Sequence, residues 1–306
     1  MTMFCDPTKV GHFAVRAEDV AAGEPEALFR LLVATSMFQR RQDLQIMRVL
    51  QGIGEADARE LSTASTLLRL SDGSPCEHLR STMALRERCD LGKDAETKLG
   101  VCLAKPEHPC HLKRHTVLLK RYGHFGKVPS SIALAIREYG ATDLGELRRQ
   151  ALDEVSTPEE AALLLEAALC RAWRVSRKIA HMYLSMMTNP DLCPAAPGPW
   201  AEGVDWTQFV VIDSNVDLFL KATGYPGPWT YEARRVFLRE LARRVDLSAM
   251  GDGLAGYNPR LVQQALYLFM SVTNRRAVER DCGRRAPEGC VGCLVELRGV
   301  CGWGAP

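Results

Sequence analysis

The chain has 306 residues, 46% hydrophobic and 25% charged, with a formal net charge of +2. These proportions belong to a folded globular protein and exclude a disordered or fibrous one. The length suits one large domain or two closely packed ones, and the near-neutral charge neither demands nor excludes a polyanionic partner. No apolar run approaches the roughly 18 residues that span a bilayer, so no membrane association is expected. Residues 1–6 lack the basic start and apolar stretch of a secretory signal, which predicts a cytoplasmic protein.

In chain order the pattern is helical. Leu28, Leu31, Leu32 and Thr35 share one helix face, and Leu44, Met47 and Leu50 (or Val49) share the next. Residues 72–128 interrupt it with four cysteines and five histidines among Gly, Pro and charged residues. Within that stretch, residues 111–127 carry Lys113, Arg114, Lys120, Arg121 and Lys127, no acid, and the aromatics Tyr122 and Phe125. A basic tract with interleaved aromatics suits a phosphate backbone and an unstacked base. Thr157-Pro158-Glu159-Glu160 reads as a capping box with proline at the first helical position, opening a helix over 161–173. Residues 189–200 hold four prolines and separate two helical groups. Phe209-Val210-Val211-Ile212 is the one compact β-like run, too short to make a sheet. Residues 232–245 set Val236, Leu238 and Leu241 against an Arg-rich outer face. Asn258-Pro259 opens a last helix carrying Leu261, Leu266, Phe269 and Met270. The fold class is all-α.

Eleven cysteines are the outlying count. In a reducing compartment, clustered cysteines read first as metal ligands. Cys282, Cys290, Cys293 and Cys301 are spaced C-x7-C-x2-C-x7-C, with Gly283, Gly289, Gly292 and Gly302 supplying turns. Four thiolates so close suit tetrahedral zinc or an iron–sulfur cluster. Arg275, Arg276, Arg280, Arg284 and Arg285 surround them. A second set, Cys76, Cys89, Cys102 and Cys110, with a histidine as substitute for Cys76, is a candidate second metal site, for zinc. Its spacings follow no standard zinc finger. Cys5, Cys170 and Cys193 remain as ordinary thiols.

Three separated segments carry a family resemblance. Phe29-Arg30-Leu31-Leu32-Val33-Ala34-Thr35, followed by Gln39 and Asp43, resembles the first core helix of helix-hairpin-helix DNA glycosylases of the endonuclease III type. Arg174-Val175-Ser176-Arg177-Lys178-Ile179-Ala180 is similar to the hairpin segment Gly-Val-Gly-Arg-Lys-Thr-Ala of that group. Val211-Ile212-Asp213-Ser214-Asn215-Val216 is similar to its Val-Asp-Thr-His or Val-Asp-Thr-Asn-Val segment. The order matches, and the terminal four-cysteine loop follows where the family keeps a 4Fe–4S cluster. The resemblance covers most of residues 25–50 and 130–301. Three departures accompany it. Arg174 and Ser176 replace the hairpin glycines, Lys178 and Asp213 are separated by a Pro-rich loop that the family lacks, and the 72–128 insertion is foreign to it.

The resemblance implies a two-lobed all-helical fold, with residues 1–24 packing on the C-terminal lobe. Residues 25–205 form one lobe, including the insertion, and 206–306 form the other with the cluster loop. It implies DNA as partner, with a modified base flipped out of the stack, and a monomer in the nucleoid or the cytoplasm of a phage-infected host. By position, Lys178 matches the lysine that attacks C1′ of the sugar, and Asp213 the carboxylate that stabilises developing positive charge. A lysine acts as a nucleophile only as the free amine, which burial or a cationic neighbour such as Arg177 would favour. Gln39 matches the residue filling the space left by the flipped base, with Arg174, Ser176, Arg177 and Asn215 beside the DNA. The leading expectation is a DNA glycosylase, with an associated lyase step. The alternative is a glycosylase-like amino acid:DNA transferase that hypermodifies 5-hydroxymethyl pyrimidines and leaves the glycosidic bond intact. A third reading is a non-catalytic DNA-binding metalloprotein.

Overall fold

The computed structural model describes residues 1–39, 42–89, 91, 101–102, 105–120, 123–192 and 198–271, with backbone alone at 101–102, 105–108 and 123–124. The four C-terminal cysteines, their flanking arginines, Arg121, Tyr122, Cys193 and the side chain of Cys102 lie outside the described residues. Those residues form fifteen α-helices and one short β-ribbon, an all-α class. No helix among them is long and apolar enough to cross a membrane. The chain divides into two compact units, Met1–Trp206 and Thr207–Pro306.

The first unit begins with α1 (Pro7–Val10), α2 (Ala17–Ala21), α3 (Pro25–Met37), α4 (Asp43–Gln51), α5 (Glu55–Leu61), α6 (Ala64–Asp72) and α7 (Thr82–Glu87). It continues through β1 (Val101–Cys102) and β2 (Lys105–Pro109), then α8 (His111–Leu118), α9 (Val128–Glu138), α10 (Leu144–Glu154), α11 (Pro158–Cys170) and α12 (Arg177–Thr188). At its centre α3 buries Leu28, Leu31, Leu32, Val33 and Ala34 completely, and it touches α2, α9, α10 and α12. Each such leucine contributes roughly 2 kcal/mol of burial. Thr35 and Ser36 lie in the same apolar setting because their hydroxyls donate back to Leu31 O (2.7 Å) and Leu32 O (2.8 Å). The capping box at Thr157 forms as its sequence predicts: Glu160 N–H donates to Thr157 Oγ1, and Thr157 N–H to Glu160 Oε2.

Residues 1–24, expected beside the C-terminal lobe, have described contacts close to home. They belong to the first unit, where α1 and the following turn Gly11–Phe13 pack on α4. Gly11 adopts φ 57°, and a Cβ there would lie 2.9 Å from Gln51 Cα, so a glycine is needed. The same packing rotates α4 away from its expected face. Ile46 and Leu50 point inward, while Leu44 is 54% exposed. The burying partner of α4 is an N-terminal segment that local periodicity cannot see. The short antiparallel ribbon, with Val101 opposite Pro109 and Cys102 opposite Lys105, was also unexpected. Two residues of β1 are too few to display alternation.

The second unit contains α13 (Ser214–Ala222), α14 (Tyr231–Ala242) and α15 (Pro259–Met270) around Val210, Ile212, Val216, Leu220 and Leu238. Phe209 to Ile212 are all buried yet join no sheet. The Tyr231 hydroxyl takes a neighbouring strand's place, donating to Val210 O (3.0 Å) and accepting from Ile212 N–H (3.3 Å). The Arg-rich face of α14 is likewise not simply outward. Arg235 is 5% exposed and donates to Gln208 O, while Arg239 donates to Gln208 Oε1 and Thr207 Oγ1. Val236, expected in the core, is instead 45% exposed.

Candidate functional site

Two of the three resemblance segments meet in the first unit. The turn between α11 and α12 is pinned by buried Ala172 and Val175, and by the Trp173 N–H, which donates to Ser131 Oγ of α9. Arg174 then adopts φ 66°, the left-handed region, at the position where the resembled hairpin has glycine. Its carbonyl accepts a hydrogen bond from Gln39 Nε2 at 2.9 Å, and that same nitrogen donates to Ser36 O at 2.6 Å. Gln39, at the end of the α3 segment, is thereby tied to the hairpin turn 135 residues away. The backbone takes the conformation a glycine would take, and the side chain is carried along.

That side chain joins a stack. The Arg174 guanidinium lies 5.4 Å from the Trp173 ring centroid and 5.7 Å from that of Phe125, and Lys127 Nζ lies 4.9 Å from Trp173. Lys127 is wholly buried and donates to Leu85 O (2.8 Å) and to Cys89 O, at the C-terminal end of α7 where carbonyls collect negative potential. Two cations and two aromatic rings pack together beside the turn.

Ser176 starts α12 as its N-cap, and its hydroxyl bonds none of the first-turn N–H groups. Such a helix start is suited to an anion. Arg177 turns away to Glu166, with Nε 2.8 Å from Oε1, and buried His181 meets the other carboxylate oxygen at 2.6 Å. The Glu166 bridge thus holds the first two turns of α12 against α11. Lys178, between them, is half-buried and makes no ion pair or hydrogen bond among the described residues. Nearby Cys170 has its thiol pushed up to about 11 by burial, with the Glu166 carboxylate adding to the shift, which makes it a poor nucleophile.

The basic tract at 111–127 departs from expectation. Lys113 is 2% exposed, so it presents no charge to a phosphate. Arg114 is occupied by Asp57 (2.9 Å) and Glu60 of α5. Buried His115 also meets Glu60, at 2.7 Å, and its ring stands edge-on to His111 at 5.4 Å. The tract holds no acid of its own, but α5 supplies two. Lys120, just after α8 at φ 44°, is exposed.

Cys76, Cys89 and Cys110 all border one apolar cluster of Leu79, Leu85, Leu91, Leu112 and Leu134. Among the described residues no three metal-ligating side chains converge, and the fourth member of the expected set, Cys102, has no described side chain.

In the second unit Asp213 is the N-cap of α13. Its Oδ1 accepts from Asn215 N–H (3.0 Å) and Val216 N–H (2.9 Å). Asn215 is half-exposed in the first turn. Arg260, from the start of α15, feels the Asp213 carboxylate. Burial pushes the guanidinium down to about 10 while Asp213 pulls it back toward the charged form. No signal in the sequence marked Arg260, because its partnership with Asp213 exists only through the packing of α13 on α15. Asp213 is thus a fixed carboxylate with a cation in its field, half-buried at a helix start.

Compared with protein families, characterised proteins and solved structures, the chain matches none.

Proposed function

We propose that the chain is a DNA base-processing enzyme of helix-hairpin-helix glycosylase type, acting on a modified base flipped from the duplex. The observation that carries the reading is the Gln39–Arg174 hydrogen bond, together with the left-handed backbone at Arg174. It joins two segments that resemble the family only separately. It also supplies, without glycine, the turn that precedes a nucleophile-bearing helix.

In this reading Lys178 attacks C1′ as the free amine, the C1′–N bond breaks, and the base leaves with the bonding pair and takes up a proton. Asp213 steadies the positive charge that develops on the sugar and accepts the proton released by nitrogen. Opening of the sugar ring gives a Schiff base and sets up the lyase step. Gln39, Ser176, Arg177 and Asn215 then border the DNA. Lys120 is the remaining exposed cation of the described basic tract. The chemistry of the Cys282, Cys290, Cys293 and Cys301 donor set suits a 4Fe–4S cluster, with zinc as the alternative; Cys76, Cys89 and Cys110 do not converge, so with Cys102 they would hold a second metal, zinc, only after being drawn together.

A second reading keeps the fold and installs a group on an activated 5-hydroxymethyl pyrimidine. The replacement of the hairpin glycines favours it, since Arg174 is spent on Trp173 and Phe125. Mass analysis of nucleosides after incubation with duplexes bearing modified pyrimidines tests both. Free base with an abasic sugar supports the glycosylase. An intact nucleoside of altered mass supports the transferase. Unchanged DNA across the panel refutes both and leaves a non-catalytic DNA-binding metalloprotein.

A further inference from the structure

Trp229 of the second unit is 46% exposed, an unusual placement for the largest apolar side chain type. Its loop is nonetheless rigidly built. After α13 the chain reverses through Gly224 at φ 70°, and Tyr225 N–H closes on Leu220 O at 2.9 Å. Tyr225 donates its hydroxyl to Pro228 O (3.2 Å) and sets its ring edge-on to Trp229 (5.6 Å) and to Phe237 (4.9 Å). Pro226 and Pro228 fix two further backbone angles. The indole is therefore held in place at the surface by contacts that do not cover it.

Two cations flank it, Lys221 Nζ and the Arg234 guanidinium, each 5.6 Å from the ring centroid. Arg234 is 13% exposed and bound to Asp217, so it stays. Lys221 is exposed and faces no carboxylate within ion-pair distance among the described residues. Its flexible stem can exchange the ring for an anion.

We propose that Trp229, Lys221 and Arg234 form a stacking platform for single-stranded nucleic acid, with an unstacked base on the indole and its phosphate on Lys221. The proposal rests on the reading of the chain as a DNA-processing enzyme, since flipping a nucleotide disrupts the stacking of its neighbours. Both cations lie over the indole, so a nucleotide engages it by drawing Lys221 off the ring: the ammonium takes the phosphate, and the ring takes the π-face that every base offers. Paired duplex hides its base faces, so the platform discriminates in favour of single strands.

The test is anisotropy of a labelled oligothymidylate, and of a duplex of equal length, titrated with the full chain. Trp229→Ala should weaken single-strand binding roughly tenfold, the loss of one base–aromatic stack. Trp229→Phe should retain most of the affinity, and Lys221→Gln should reduce the logarithmic salt slope by about 0.7. Duplex affinity should hold in all three. Single-strand binding unchanged in Trp229→Ala overturns the platform, as does an equal loss for duplex and single strand. An adduct at Lys178 alongside unchanged Trp229→Ala binding would sink the platform and spare the enzyme reading. A wild-type chain that forms no adduct yet shows the Trp229 effect would do the reverse.

Discussion

Arg174 carries two opposed contributions to stability, and separating them tests the account of the hairpin. A residue with a Cβ at φ 66° is strained by about 1–2 kcal/mol relative to its ordinary conformations. Against this, the guanidinium lies over Trp173 at 5.4 Å and Phe125 at 5.7 Å, contacts of about 0.5–1 kcal/mol each at a partly exposed position. Arg174→Gly removes strain and stack together and should leave stability within about 1 kcal/mol of wild type. Arg174→Ala removes the stack and keeps the strain, so it should fall about 1–2 kcal/mol below wild type and about 1 kcal/mol below the glycine variant. With a denaturant slope of about 3 kcal/mol/M, that last gap moves the urea midpoint by about 0.3 M. Equilibrium urea titrations of the three proteins decide the point. An alanine variant as stable as the glycine variant would refute the claim that the turn requires the left-handed backbone.

Other outcomes follow from the same geometry. Asp213→Ala should cost about 1 kcal/mol through loss of the N-cap, whereas Asp213→Asn keeps a capping oxygen and should abolish turnover with little change in stability; thermal melts beside an activity assay separate the two roles. Gly126→Ala should destabilise by about 3 kcal/mol, because its Cβ would sit 2.1 Å from Leu112 O and 2.1 Å from Thr116 Oγ1, measured by the shift in urea midpoint. His111, held neutral, is pushed down to about 3 chiefly by burial and secondarily by His115. Its unfolded value of 6.5 is higher, so the unfolded chain takes a proton that the folded chain refuses, and stability is lost as pH falls from about 6.5 toward 3. His111→Gln should flatten that part of the stability–pH curve, read from urea midpoints between pH 7 and 4. Purified protein should carry iron and sulfide on the C-terminal cysteines, and zinc alone by elemental analysis would contradict the cluster assignment.

What the sequence made legible was local. The Thr157 capping box and the Asn258-Pro259 helix start are written in adjacent residues, and both formed where expected. The Gln39 and Arg174 segments each carry a legible motif, but their hydrogen bond is a long-range fact that no spacing encodes. The errors share one cause. Leu44 has the spacing of a core residue, yet α1 packs against a different face of α4, and Val236 has it too, yet Arg235 of α14 is the side chain that turns inward. Arg114 reads in sequence as a free cation because its partners Asp57 and Glu60 stand more than fifty positions away in the chain. Charge and apolarity are visible in sequence, whereas the partner that satisfies each is fixed by tertiary packing. Phe209–Ile212 shows the same limit from the other side, since its strand-like composition found a tyrosine hydroxyl in place of a neighbouring strand.

The central claim is that Lys178 reacts with DNA. Borohydride reduction of the chain incubated with duplexes bearing modified pyrimidines should trap a covalent protein–DNA adduct, visible as a shifted band and absent from Lys178→Gln. An adduct that persists in Lys178→Gln, or no adduct on any duplex that the protein binds, would contradict the account.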